Sequence, residues 1–405
     1  MVLYTIGIFI YGFAIRIASL INPKAKSWIK GRKNFFNQLP KINDEKVVWF
    51  HCASLGEFEQ GKPIIEEWKN KYPDDFILIT FFSPSGYEIK KDYPLADFCC
   101  YLPLDTPSNA KRFVNYFRPD NVFFIKYEFW LNYIKYAYKN GSKIYSLSAI
   151  FRGNQIFFKW YGGIFRKHLS YFSYFFVQNE ASKSLLEKIS IDNVVVAGDT
   201  RFDNVYERYL AQEDNLILKN WAKDSHVFII GSSWPEDEQI LFPFVSLMNY
   251  KVIIAPHNVD DKHVSKLISK LTIPYQKYTD LENGNVLEEN TKVIVLDCIG
   301  LLANAYKYGD IAYVGGAFGT GLHNILEPAT FGLPVIFGPK YEKFPEAKIF
   351  IENGIGFSIN NRETLKKEFN YILSNKKELS ERTISFIKKN IGAKEKVFEV
   401  ITSSL

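Results

Sequence analysis

From Val47 onward the chain repeats one pattern: a short continuous apolar run, a turn, then a segment whose apolar positions recur at helical spacing. The runs predict strands at Val47 to Cys52, Phe76 to Phe82, Asp97 to Leu102, Asn121 to Ile125, Lys143 to Leu147, Tyr174 to Val177 and Asn193 to Ala197. Between them, helices are predicted at Pro107 to Phe117, Phe129 to Lys139 and Glu180 to Ile189. Apolar strands without polar alternation are buried on both faces, which predicts a parallel sheet covered by helices. A mixed polar stretch at 204–224 interrupts the pattern and reads as a linker. Strands resume at Val227 to Ile230, Lys251 to Ala255, Val293 to Leu296, Ile311 to Val314 and Val335 to Phe337, with a polar loop at Glu282 to Asn290. The last part, Arg362 to Val400, is rich in Lys and Glu at helical spacing. The fold class is therefore α/β, with domains at 34–203 and 225–385, and 405 residues suffice for two cores.

Ahead of this pattern, Met1 to Ile21 is apolar with one internal charge, Arg16, and is followed by Lys24, Lys26, Lys30, Arg32 and Lys33. A secretory signal would carry its positive charges before the apolar stretch. A spanning helix needs about 20 apolar residues; an interfacial anchor that lets Arg16 snorkel is the alternative, and a buried first helix is the third. Basic residues after the segment put the body of the protein on the cytoplasmic side. Residues 1–33 are thus expected to be a membrane anchor with its basic flank.

The most informative stretch runs from Asp310 to Pro345. A strand (Ile311 to Val314) enters a turn with glycines at 315, 316, 319 and 321, a helix runs from near Asn324 to Gly332, and a second strand follows at Pro334 to Phe337. In such a βαβ unit the loop N–H groups and the helix N-terminus form an anion site, and Glu327 could accept hydrogen bonds from sugar hydroxyls. The glycines fit neither the dinucleotide spacing nor a P-loop, and tight turns alone would also require them. The whole string, His323-Asn324-Ile325-Leu326-Glu327-Pro328, then Gly-Leu-Pro-Val-Ile, Gly338-Pro339 and Phe344, resembles the nucleotide-binding end of the Kdo (3-deoxy-D-manno-octulosonic acid) transferases of lipid A assembly.

That resemblance implies a GT-B architecture: two Rossmann-like domains with an interdomain cleft, and a C-terminal helix (386–405) packing on the N-terminal domain, to which the N-terminal membrane-associated helix is added. It extends to His51-Cys52-Ala53-Ser54-Leu55-Gly56-Glu57-Phe58-Glu59, where Glu57 matches the family's catalytic carboxylate. Ser54-x-x-Glu57 is also a capping-box spacing, but Gly56, Gly61 and Pro63 suit a regular helix poorly, which predicts a loop or kink presenting Glu57 as general base. Lys126-Tyr127-Glu128-Phe129-Trp130 and Gly198-Asp199-Thr200-Arg201-Phe202-Asp203 match as well, and the resemblance gives Glu128 and Arg201 supporting roles in the transition state. Their structural alternatives are a carboxylate favoured at a helix N-terminus and a salt bridge near the hinge. The stretch from Ser148 to Asn154 matches only loosely.

On the donor side the resemblance assigns Ser232, Ser233, Pro256, His257, Ile299, Gly300, Leu301, Gly316, Asn324, Ile325, Leu326 and Glu327. His257 stands where many relatives carry Arg, and Leu301 where a Glu is common, so backbone donors or His257 must serve instead. His257, Asp260, Asp261 and His263 fit no standard metal motif, so no metal and no cofactor is expected.

Composition adds compartment and partners. Four cysteines (Cys52, Cys99, Cys100, Cys298) show no metal-type pairing and read as buried reduced thiols, which suits the cytosol. The net charge of +6 with 35 Phe, 25 Tyr and 7 Trp could serve nucleic acid, but no recognised motif or long Lys/Arg tract is present, and an anionic lipid surface explains the same balance. The expectation is a metal-independent, inverting transferase at the cytoplasmic face of the inner membrane, with CMP-Kdo as donor and the tetraacyl disaccharide bisphosphate lipid IVA as acceptor. Other readings are a GT-B transferase or epimerase acting on a UDP-sugar, and a catalytically silent lipid-binding protein.

Overall fold

The computed structural model describes residues 1–319 and 321–404; Thr320 of the glycine-rich loop and Leu405, the last residue of the expected C-terminal helix, lie outside the described residues. The chain folds as two compact units, 1–204 with 390–405, and 205–389.

The first unit holds seven parallel strands: β1 (Val47–Cys52), β2 (Phe76–Phe81), β3 (Phe98–Tyr101), β4 (Asn121–Ile125), β5 (Lys143–Ala149), β6 (Tyr174–Val177) and β7 (Val194–Val196). They lie in the order β3-β2-β1-β4-β5-β6-β7. All six residues of β1 are buried. Val47 and Trp49 join the core on one face, and Val48, Phe50 and Cys52 that on the other, as the period-two geometry of a strand covered on both sides requires.

The helix after β1 corrects the sequence expectation. Leu55–Lys71 is one continuous helix that contains Gly56, Gly61 and Pro63. Packing overrides propensity here: a Cβ on Gly61 would sit 3.2 Å from Ile125 Cδ1, so glycine lets the helix close on the sheet. Pro63 has no N–H for the Glu59 carbonyl, which instead accepts from Asn204 Nδ2 at 3.3 Å.

Val2–Ala18 forms the first helix. Its inner side is held by Tyr4, whose hydroxyl donates to Asp105 Oδ2 at 2.6 Å, and by buried Ile8. Its outer side exposes Val2, Leu3, Ile6, Ile10 and Ile17. Among the described residues no helix is long and apolar enough to cross a membrane. The last helix, Ala393–Ser404, buries Val397, Phe398 and Ile401 against Ile64, Ile65 and Trp68 of the same unit. Asp203 accepts the Gly392 and Lys394 N–H groups at its start.

In the second unit the strands are β8 (Val227–Ser233), β9 (Lys251–Pro256), β10 (Tyr275–Lys277), β11 (Val293–Val295), β12 (Ile311–Val314), β13 (Val335–Phe337) and β14 (Gly356–Ser358). Their order is β10-β11-β9-β8-β12-β13-β14, again all parallel. The edge strands β10 and β14 have no counterpart in the apolar pattern. The polar stretch expected as a linker is instead largely helical (Arg201–Leu210 and Leu216–Ala222), and Leu218 and Trp221 are buried in this unit's core. All four cysteines are free, but Cys99 and Cys298 are only half-buried, against the expectation of four buried thiols.

Candidate active site

In an open parallel sheet, a crevice forms at the carboxyl ends of the strands where the strand order turns round. In the first unit that point lies between β1 and β4, and Glu57 follows β1 while Glu128 follows β4. Glu57 occupies the third position of its helix, and its Oε2 accepts the Ser54 N–H at 3.0 Å. The local capping interaction is therefore real, yet it does not exhaust the residue. Glu57 is 8% exposed. Burial, reinforced by the charge of Glu128, pushes its pKa up to about 7, against the pull of Lys126 and of the Ser54 and Ala53 N–H groups. Burial raises Glu128 too, with Lys126 opposing. Glu128 disfavours the charge of Glu57 while Lys126 favours it, and the balance leaves Glu57 able to take up a proton near neutrality, as a general base must.

Lys126 carries a φ of +59°, and its N–H donates to the Leu147 carbonyl at 2.8 Å, so the turn that delivers Glu128 is held against its intrinsic preference. Further on, Trp130 Nε1 donates to His51 Nε2 at 3.0 Å, and His51 Nδ1 bonds Thr80 Oγ1 at 2.9 Å. Full burial holds the His51 pKa down to about 3. This neutral imidazole fixes Trp130, two positions beyond Glu128 in sequence, a role that no local signal in the sequence announces.

Arg201 reaches the same edge after β7. Its Nε and Nη2 donate to Asp199 Oδ2 at 3.0 and 2.7 Å, and Gln60 Nε2 donates to Asp199 Oδ1 at 3.0 Å. Burial alone would raise Asp199, but Arg201 and Gln60 hold it below the usual carboxylate range. Gln60 lies one turn beyond Glu57, so Arg201 is tied through Asp199 to the helix that carries the candidate base. The salt bridge expected as its alternative exists and is what orients it.

In the second unit the order turns round between β8 and β12. Asp237, in the first turn of helix Pro235–Val245, binds both loops there. Its Oδ2 accepts the N–H of Trp234 and of Gly316, each at 2.9 Å, and its Oδ1 accepts the Tyr313 hydroxyl at 2.6 Å. Burial raises its pKa and these three donors oppose the rise. Gly316 has φ +94°, and a Cβ there would fall 2.1 Å from the Gly321 carbonyl oxygen. Close backbone approach therefore requires glycine at this position whatever the loop binds.

Of the donor-side residues, Ser232 and Ser233 close β8, and the buried Ser233 hydroxyl has no partner among the described residues. Pro256 ends β9, and the following His257 N–H donates to the Ser233 carbonyl at 2.9 Å. Ile299, Gly300 (φ +98°) and Leu301 leave β11, and this segment returns to β8 where Leu302 lies against Gly231. The helix expected from Asn324 to Gly332 is shorter, Leu326–Thr330. Asn324 Oδ1 caps it by accepting the Leu326 N–H at 3.0 Å, and its Nδ2 donates to Glu327 Oε1 at 3.1 Å. Arg208 lies 3.6 Å from that same oxygen. Ile325 is buried beneath the turn.

Sequence reasoning missed a stack of three rings at this edge. Trp234 lies 4.4 Å from His257, and His257 4.6 Å from His323. Trp234 Nε1 donates to His323 Nε2 at 3.0 Å, which leaves the imidazole proton on Nδ1. Burial lowers His323 to about 4 and lowers His257 as well. At neutral pH the stack is uncharged, so it offers a flat face and N–H donors rather than a cation. His263 Nε2 lies 3.3 Å from Glu238 Oε1, and Asp260 Oδ1 caps the helix by accepting the His263 N–H at 2.8 Å.

Residues 29–204 match the family described as 3-deoxy-D-manno-octulosonic-acid transferase (kdotransferase). A bifunctional glycosyltransferase/methyltransferase of Fusobacterium nucleatum is 28% identical over 91% of this chain, which spans 58% of that protein's length. The 3-deoxy-D-manno-octulosonic acid transferase of Aquifex aeolicus is 29% identical, over 86% of this chain and 92% of its own, and that of Chlamydophila psittaci 27%, over 79% and 76%. Among solved structures, UDP-GlcNAc 2-epimerase from Neisseria meningitidis aligns with a TM-score of 0.59 at 15% identity, over 89% of this chain and 100% of that one. MurG of Acinetobacter baumannii aligns with 0.56 at 14%, with the same coverage. At such identities the likeness is one of fold, the GT-B plan.

Proposed function

Because the chain belongs with the Kdo transferases, a family of glycosyltransferases, we propose that it moves Kdo from CMP-Kdo to lipid IVA with inversion at the anomeric carbon. The acceptor hydroxyl attacks that carbon and gives its proton to Glu57. The bond to the cytidylate phosphate breaks, and the phosphate leaves with the electron pair. A phosphate is a good leaving group, so it needs charge stabilisation rather than a general acid. Glu128 and Asp199-held Arg201 support the oxocarbenium-like transition state electrostatically. Donor binding falls to the loops after β8, β9, β11 and β12, which Asp237 and the ring stack keep in place, and no metal enters the reaction.

The observation that carries this reading is the buried carboxylate of Glu57, raised to about 7 at the edge where the strand order turns round. A structural cap alone would do better with an ordinary pKa. Mass spectrometry of lipid IVA incubated with CMP-Kdo and the purified protein tests it. The expected product is heavier by one or more Kdo units, and Glu57→Gln forms none. No gain in mass, or turnover of a UDP-sugar instead, overturns the reading.

As part of the same proposal, the first helix lies in the lipid surface on the cytoplasmic side of the inner membrane. Its exposed Ile6, Ile10 and Ile17 and the lysines that follow support an interfacial rather than a spanning mode. Ile6→Asp with Ile10→Asp should abolish co-flotation with anionic vesicles, and unchanged flotation would refute that mode.

A further inference from the structure

A cavity of about 620 Å³ opens between the first helix, the turn that follows the second helix (Pro23–Lys30), and helix Pro107–Phe117, all within the first unit. It exists because Gly12 brings the first helix onto Leu104; a Cβ there would stand 2.6 Å from Leu104 Cδ2. Three guanidiniums line it, Arg16, Arg32 and Arg112, and among the described residues no carboxylate does. Asp105, between the lining residues Leu104 and Thr106 in sequence, spends its oxygens on Tyr4 and on the N–H groups of Asn132 and Tyr133.

The three arginines differ in what they already do. Arg32 lies 3.7 Å over the Trp28 ring and donates to the carbonyls of Trp28, Phe82 and Leu102, so it is a fixed positive floor. Arg16 and Arg112 are exposed and make no ion pair among the described residues; Arg112 rests 4.1 Å over Phe36. The ring of Trp28, about nine-tenths buried, backs the Arg32 guanidinium at this wall of the cavity. Phe13 and Leu104 supply apolar wall, and the cavity is bordered by the helix whose other side is apolar and exposed.

A recess with two exposed guanidiniums that make no ion pair among the described residues, a third fixed beneath them, and apolar walls fits an anion attached to hydrocarbon. We propose that this cavity binds the phosphate-monoester headgroup of an anionic lipid, with Arg16 and Arg112 gripping the phosphate and Phe13 and Leu104 meeting the start of the acyl region. The binding is independent of sugar transfer, so Glu57→Gln should leave it unchanged.

Calorimetric titration with a short-chain phosphatidic acid below its micellar concentration tests the site on the full chain. Saturable binding is expected, weakened roughly tenfold or more by Arg16→Gln with Arg112→Gln. Lys24→Gln with Lys26→Gln, which removes equal charge outside the cavity, should change it little. If the double arginine variant melts early, the single variants carry the test. Inorganic phosphate is expected to bind at least roughly tenfold more weakly. The proposal falls if phosphatidic acid does not saturate, if the lysine variant loses as much as the arginine variant, or if free phosphate binds as tightly as the lipid.

Discussion

Glu57→Gln should make the protein more stable as it makes it inactive, and the size of the gain depends on pH. In the folded state the Glu57 pKa stands at about 7 against an ordinary 4.5, chiefly because the carboxylate is buried. A folded pKa above the unfolded one means that the folded state holds the proton longer. The side chain therefore costs nothing below about pH 4.5, costs progressively more between pH 4.5 and 7, and reaches a plateau above. At about 1.4 kcal/mol per pH unit the plateau is roughly 3 kcal/mol. Glutamine fills the same volume, keeps an oxygen for the Ser54 N–H and never ionises. Urea denaturation of both proteins at pH 5 and pH 8.5 measures the difference, since contributions from Asp105 and other groups cancel. The variant's advantage should grow by about 2–3 kcal/mol between the two pH values. A difference that does not change with pH would mean that Glu57 titrates as a solvated carboxylate and is not a base poised near neutrality. Such a cost is the signature expected where activity is maintained against stability.

Further tests bear on the neighbouring groups. Glu128→Gln removes a charge that raises Glu57, so the acidic limb of the kcat/KM profile should move to lower pH; a limb that stays in place would uncouple the two. Gly316→Ala forces a side chain onto a φ of +94° and against the Gly321 carbonyl. It should cost the second unit about 1–3 kcal/mol or more and abolish CMP binding by calorimetry, and retained affinity would show that the loop is not the nucleotide site. Tyr4→Phe removes the hydroxyl that Asp105 and the Leu131 N–H share, at about 1.5–3 kcal/mol. The hydrogen bond favours ionised Asp105, whose pKa burial raises to about 7, so amide exchange of residues 2–18 should quicken more above pH 7 than below.

Much of the sheet architecture was legible because most strands are buried on both faces. The spans of β1, β4, β6, β12 and β13 coincide with the runs predicted from the apolar pattern. The missed strands β10 and β14 are three-residue edges, and half-buried edges such as Tyr275-Gln276-Lys277 leave no such run. The region 204–224 looked like a linker because its helices bury few residues, Leu218 and Trp221 among them, within a polar sequence. At the site, strand-end position and family likeness led to Glu57, while the glycines and Pro63 after it misled about its setting. What makes them tolerable comes from Ile125, far along the chain, and from Asn204, farther still. Asp237 shows the same limit. Its spacing from Trp234 reads as a helix cap, but its bonds to Tyr313 and Gly316 cross 76 and 79 positions and have no local trace. The pairing of His51 with Trp130 is equally remote, across 79.

The segment 390–405 completes the core of the unit that begins at residue 1. On the ribosome, the earliest part of the protein must therefore wait, one wall of its core uncovered, while residues 205–389 are made, a delay of roughly 10–40 s at ordinary elongation rates. During that interval the surfaces around Ile64, Ile65 and Trp68 remain open to chaperones and to aggregation.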